Sequence, residues 1–160
     1  IVKTFTPVLI IISALFINTT TEAQIVQTYI TTVTPISYDG TWSKTTISTG
    51  GAAILVPLGE EGWFFRGLLG GGAFLQGNSK PSVPVAQGFG LLGYKLTKEF
   101  VFLGGGGMNA LFLPTGDTKI VMTGVSGVGW AVNRRLLLAG VMAFTPDGFA
   151  PGVQLTINLF

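Results

Sequence analysis

From Gln24 onward, nearly every charged residue falls in or beside a short turn-like cluster. Asp39, Glu60, Glu61, Lys80, Lys98, Glu99, Asp117, Lys119, Arg134, Arg135 and Asp147 all sit in such places. Only Lys44, Arg66 and Lys95 lie inside the segments between them. Those segments run to roughly 9–15 residues and are rich in Val, Ile, Leu, Phe, Trp, Thr and Gly, which is strand composition at strand spacing. They are too short for a membrane helix, which needs about 20 continuous apolar residues. They are also too apolar for an ordinary soluble surface. Charged residues make up 10% of the chain and hydrophobic residues 48%, whereas soluble domains carry about 25% charged residues.

Seven breaks punctuate the chain: 37–42 (SYDGTW), 58–62 (LGEEG), 76–82 (QGNSKPS), 96–99 (LTKE), 113–119 (LPTGDTK), 132–135 (VNRR) and 145–148 (TPDG). Seven breaks make eight strands. The second, fourth and sixth breaks are tight and charged. Most of the others carry Pro, Gly, Asn or Asp and tend to be longer. Alternation of short turns with longer loops is the pattern of an up-and-down barrel whose two ends face different compartments. With eight strands, both termini fall at the end with the short turns.

The strands also alternate. Phe100, Phe102, Met108 and Phe112 share one face of their segment, with Gly105, Gly107 and Asn109 on the other. Ile120, Met122, Val128 and Trp130 oppose Thr123, Gly127 and Gly129. Val153, Leu155 and Ile157 oppose Gln154, Thr156 and Asn158. A lipid-facing strand alternates in this way, apolar outward and small or polar inward. The signal is weaker in 63–76, apolar on both faces apart from Arg66 and Gln76, and in the Thr-rich first strand, 24–34.

An internal repeat supports the same reading. Residues 93–104 (GYKLTKEFVFLG) align without gaps to residues 129–140 (GWAVNRRLLLAG), one hairpin further along. The repeat puts Tyr94 and Trp130 at equivalent outward places beside short turns, with Trp63 and Phe100 level with them. Trp42, Phe112 and Phe144 fall at the opposite rim. Two aromatic girdles flanking an apolar band are the anchors expected at two membrane interfaces.

Other chemistries find little support. The chain has no Cys and no His, which removes disulfides, thiolate metal sites and the commonest catalytic base. Gly88, Gly90 and Gly93 fit a dinucleotide fingerprint, but strand continues where that motif needs a helix. The run Gly104–Gly107 lacks the Lys-Ser/Thr ending of a phosphate loop. It reads instead as strand, with Gly105 and Gly107 facing the lumen and making room for Phe89 or Leu91. Glu60 and Glu61 read as a solvated turn. No basic run suggests nucleic acid, and no cofactor is implied. Arg66, Lys44 and Lys95, with Gln87 and Asn109, are the candidate polar groups of the lumen. An eight-stranded barrel is just wide enough for side chains to fill, so a wide pore is not expected.

At the N-terminus, Lys3, the apolar stretch 8–17 and the small residues Thr21 and Ala23 form a secretory pattern. Residues 1–23 are expected to be a signal peptide and residues 24–160 a single barrel domain.

On the signal peptide, the hairpins, the turn parity and the terminal Phe160, the chain resembles the small eight-stranded outer-membrane barrels, the superfamily of the outer-membrane protein A, X and W types. The resemblance implies an all-β, eight-stranded antiparallel transmembrane barrel with both termini periplasmic, in the outer membrane of a Gram-negative bacterium. It implies a non-enzymatic, structural or binding role. The expected partners are outer-membrane lipid, the barrel-assembly machinery and periplasmic chaperones, with membership of a larger envelope complex left open. In the superfamily a C-terminal aromatic aids recognition by that machinery, and Phe160 matches it, although simple alternation puts Phe160 on the face of Asn158. The lumen is expected to be small and apolar. The alternative from another class is a secreted, soluble, lipocalin-like barrel that binds a small apolar ligand; its outer face would be polar.

Overall fold

A computed structural model describes residues 25–38, 40, 45–59, 61–76 and 82–159. The expected signal peptide, Trp42, Lys44, Glu60 and Phe160 lie outside the described residues.

The strands are β1 (Ile25–Val33), β2 (Ile36–Ser37), β3 (Thr45–Leu58), β4 (Trp63–Gln76), β5 (Val83–Lys95), β6 (Phe100–Phe112), β7 (Thr118–Ala131), β8 (Leu136–Thr145) and β9 (Gly148–Asn158). All ladders are antiparallel; β1 pairs with β3, β3 to β9 pair in chain order, and β1 and the short β2 both pair with β9, which closes the barrel. β2 continues the line of β1. The β1–β9 ladder ends at Val33↔Gly152, the Thr34 N–H donates to the Pro151 carbonyl at 3.0 Å, and Ile36↔Phe149 resumes the same register. Pro35 has no N–H to give, which interrupts the strand without moving it. β1 and β2 therefore make one stave, and the described residues form a closed barrel of eight staves. Closure pairs the first strand with the last, the condition that lipid imposes on any sheet.

The expected breaks fall where strands end. The turns at 96–99 and 132–135 and the segment at 58–62 match the strand limits to within a residue. They share one end of the barrel, the turn end, with the start of β1 and the end of β9. Two expectations differ. β7 starts at Thr118, inside the 113–119 break. The 145–148 break, grouped with the longer loops, is a tight hairpin with only Pro146 and Asp147 between its strands. A Pro-Asp pair supplies turn geometry by itself, so length did not follow from composition there.

The repeat is visible as one turn built twice. In the first copy, the Thr97 hydroxyl accepts from the N–H groups of Glu99 (3.1 Å) and Phe100 (3.0 Å). In the second, the Asn133 side-chain carbonyl accepts from those of Arg135 (2.8 Å) and Leu136 (2.9 Å). Thr and Asn both satisfy turn N–H groups from a short side chain. The Leu96 and Val132 N–H groups, thirty-six residues apart by number, both reach the carbonyl across the turn, on Phe100 and Leu136 respectively.

Gly105 and Gly107 lie in unbroken ladders with β5 and β7. A Cβ at Gly107 would meet the Gly88 carbonyl, Phe89 Cα at 2.7 Å and Phe89 Cδ1 at 2.7 Å. One at Gly105 would meet the Gly90 carbonyl and Leu91 Cα at 2.9 Å. The glycines thus make room for Phe89 and Leu91, and also for the backbone of β5 itself. Inward glycines let a sheet coil tightly enough to close on eight strands.

Candidate functional site

The lumen has two halves. Inward positions alternate along each strand, and at the turn end they carry large side chains: Phe64, Arg66 and Leu68 on β4, Leu91 on β5 and Leu103 on β6, all buried. Tyr29, Ala53, Leu68 and Leu91 pack as one cluster, with Phe89 and Val125 against it.

Arg66 is the centre of this plug. It is 1% exposed. Its guanidinium spans the lumen from β4 to the seam where β1 and β9 meet. Nε donates to Gln27 Oε1, one terminal nitrogen to Gln154 Oε1 and the other to Thr156 Oγ1, each at 2.8 Å. The planar fork of Arg suits three acceptors in fixed directions. All three are neutral oxygens, so the charge is held by charge-assisted hydrogen bonds rather than by an ion pair. The network continues outward. Gln27 Nε2 donates to Asn158 Oδ1, Gln154 Nε2 to Thr31 Oγ1, and Asn158 Nδ2 to the Arg134 carbonyl, each at 2.8 Å. Among the described residues no buried side-chain polar atom lacks a partner, the condition under which a buried polar network stabilises rather than destabilises.

Above the plug runs a second polar row. Tyr29, Gly51, Gly70 and Gln87 are successive register partners across β1, β3, β4 and β5. The Tyr29 ring lies across the two glycines, and Gln87 Nε2 donates to its hydroxyl at 2.7 Å. A Cβ at Gly70 would strike that hydroxyl and the Gly50 carbonyl. Asn109, the next partner of Gln87, donates from Nδ2 to Thr123 Oγ1 at 2.9 Å.

The lumen is therefore not simply apolar, as its sequence suggests. Gln27, Gln154 and Thr156 turn inward from the first and last strands and meet Arg66 only because the barrel closes, with Asn158 held behind Gln27. Arg66 pairs with them rather than with Asn109 or Gln87, whose partners are Thr123 and Tyr29. Lys95 has inward parity but is the last residue of β5 and is exposed at the turn end, where its ammonium reaches water. It is not part of the lumen network.

The outer face is apolar. Leu69, Met122 and Val153 are 55%, 63% and 59% exposed, and Phe102, Met108, Ile120 and Leu155 are exposed with them. Trp63, Phe100 and Trp130 are exposed near the turn end, with Tyr94 half-buried beside them. The Trp63 and Tyr94 rings meet at 4.8 Å between centroids, tilted by 52°. Phe112 and Phe144 are exposed towards the loop end. β1 differs. Its outward Thr28 donates to the Gly51 carbonyl at 3.0 Å, and Thr32 contacts the Ser48 hydroxyl at 3.4 Å. Those hydroxyls satisfy themselves locally, which is how a Thr-rich strand takes its place in the wall.

No family model matches the chain, and no curated protein matches it. Solved structures do match in fold. A de novo designed transmembrane β-barrel is 17% identical with a TM-score of 0.55, over 86% of this chain and 98% of that one. Ail, the attachment invasion locus protein of Yersinia pestis, crystallised with the heparin analogue sucrose octasulfate, is 8% identical with a TM-score of 0.54, over 86% and 98%. Neisserial surface protein A is 9% identical with a TM-score of 0.50, over 85% and 97%. The fold is that of the small eight-stranded transmembrane barrels.

Proposed function

We propose that this chain is an integral outer-membrane barrel of a Gram-negative bacterium, with a structural or binding role and no enzymatic activity. The observation that supports it is the outer face. A band of exposed Leu, Met, Val, Ile and Phe runs around a closed barrel, between rows of Trp, Tyr and Phe. In water such a band would be a large aggregation-prone surface. In lipid it is the surface that an outward face requires. The soluble, lipocalin-like alternative needs the opposite polarity on the same positions.

The turn end, with both chain termini, faces the periplasm in this reading, and the longer connections face the exterior. Phe160 is the contact offered to the barrel-assembly machinery. The plug around Arg66 argues against a wide pore. The lack of histidine disfavours the commonest acid–base hydrolytic chemistries.

The test is a denaturing gel of detergent-extracted membranes, with and without boiling. The folded barrel should migrate differently before boiling, and the protein should partition with outer membranes. Recovery in the soluble fraction, with identical mobility before and after boiling, would sink the proposal.

A further inference from the structure

The loop-end half of the lumen is a cup rather than a plug. Its volume is about 430 Å³. Phe74, Val83, Val85, Leu111, Val121 and Val141 line its wall. Inward residues shrink on this side: Ala143 on β8 and Ala150 on β9 face the space that large side chains fill at the other end. Gln87, Asn109 and Thr123 contribute a neutral polar patch lower in the wall, and Lys119 and Asp147 stand nearer the opening. The cup is roughly three times the ~150 Å³ apolar cavity that admits a benzene ring. That leaves room for one two-ring or medium-chain molecule with at most a single hydrogen-bonding group.

The wall beside the cup is incomplete. β7 pairs with β6 up to Thr118, but its ladder with β8 begins only at Gly124↔Phe144. Residues 118–123 therefore have no ladder partner on the β8 side among the described residues. The short Pro146–Asp147 hairpin ends β8 early and causes the gap. On the outside, a groove over Gly106, Gly124, Met122, Phe144 and Pro146 lies at this gap. Thr123 and Thr145 border both the cup and the groove. The groove opens among the apolar residues of the outer face.

We propose that the cup binds a single neutral, apolar small molecule, and that the molecule exchanges with the membrane through the notch between β7 and β8. The inference rests on the membrane reading, since the notch opens onto the lipid-facing band. The chemistry follows from the lining. Below Lys119 and Asp147 at the opening, a charged ligand would find no opposite charge in the wall, whereas an aliphatic or aromatic body fits the valines and a lone hydroxyl or carbonyl fits Gln87 and Asn109.

The probe is N-phenyl-1-naphthylamine, a neutral two-ring dye, titrated into the barrel in lipid nanodiscs. Wild type should show a saturable component at one dye per barrel above linear partitioning into lipid, and 1-decanol should displace it. Ala143→Trp fills the cup from β8 and should weaken that component by about tenfold or more, 1.4 kcal/mol per factor of ten, with its unboiled gel mobility intact. If A143W does not fold, Val121→Gln, which makes the wall polar, should give the same loss. No saturable component in wild type, or an unchanged one in a folded variant, overturns the cup. That outcome with a normal gel shift leaves the barrel reading standing, whereas loss of the gel shift in wild type defeats the barrel reading itself. Gly124→Phe should cover the notch, since a Cβ there meets only Phe144 Cβ at 3.9 Å and the Gly105 carbonyl at 4.0 Å. It should slow dye transfer from vesicles several-fold and leave equilibrium binding unchanged. An unchanged transfer rate overturns the notch and moves uptake to the loop end.

Discussion

Gly107→Ala and Gly140→Ala make the same chemical change in two strands and should give opposite results. A Cβ at Gly107 would meet the Gly88 carbonyl and Phe89 Cα at 2.7 Å, far inside the optimum of about 3.5–4.0 Å between carbon atoms. Both are backbone atoms, so no rotamer change relieves them. β5 and β6 must part by more than half an ångström at the level of Gly88↔Met108 and Phe89↔Gly107, which stretches the ladder bonds there. Forcing extra volume into packed structure costs about 1–3 kcal/mol. Replacing strand glycine by alanine recovers about 0.5–1 kcal/mol of chain entropy. The clash wins, and G107A should lose about 1–2 kcal/mol, on the difference of those two terms. At Gly140 a Cβ meets nothing within 4 Å, so only the entropy term acts, and G140A should be neutral or slightly more stable. The assay is urea titration of the detergent-folded barrel, read as the folded fraction on an unboiled gel. Equal midpoints for the two variants would refute the close-approach reasoning.

Five further substitutions probe the wall, the plug and the repeated turn. Leu69→Arg puts a charge in the middle of the outer band and should destabilise the barrel by about 2–4 kcal/mol in lipid; a titration midpoint equal to wild type would mean that this face does not meet lipid. Arg66→Ala removes the donor to Gln27, Gln154 and Thr156 and leaves a void. It should cost about 2–4 kcal/mol, from the void and from three neutral acceptors left without their donor, and Arg66→Lys should recover only part of that because an ammonium cannot reproduce the fork. The comparison is the urea midpoint of the two variants. Asn133→Ala takes the acceptor from the Arg135 and Leu136 N–H groups and should cost about 1 kcal/mol, with Thr97→Ala giving a similar loss. Unchanged midpoints for both would refute the shared turn chemistry.

Strand limits were legible because this chain keeps its charges at the turns, where they stay in water. Face assignment was legible for the same physical reason: a two-residue period separates lipid from lumen, so Phe102 and Asn109 could be placed on opposite faces without coordinates. In 63–76 the period was hidden, since apolar residues point both ways. Phe64 and Leu68 fill the plug while Phe65 and Leu69 face outward, and both environments accept hydrophobes. The Arg66 network was not legible. Its partners lie 39, 88 and 90 residues away, and only closure of β1 onto β9 brings them together. The one local signal was that Gln154, Thr156 and Asn158 recur every second residue in an otherwise apolar strand. The cup and the notch depend on how far β8 extends relative to β7. That length is set by a Pro-Asp hairpin whose composition resembled a longer loop.

Alternation along β9 tests the central claim most directly. With the protein in nanodiscs, a nitroxide carried on a lipid acyl chain should broaden the NMR signals of Val153, Leu155 and Ile157 and spare those of Gln154 and Thr156. If a water-soluble relaxation agent broadens Val153, Leu155 and Ile157 instead, the outer face does not lie in lipid and the membrane barrel is contradicted.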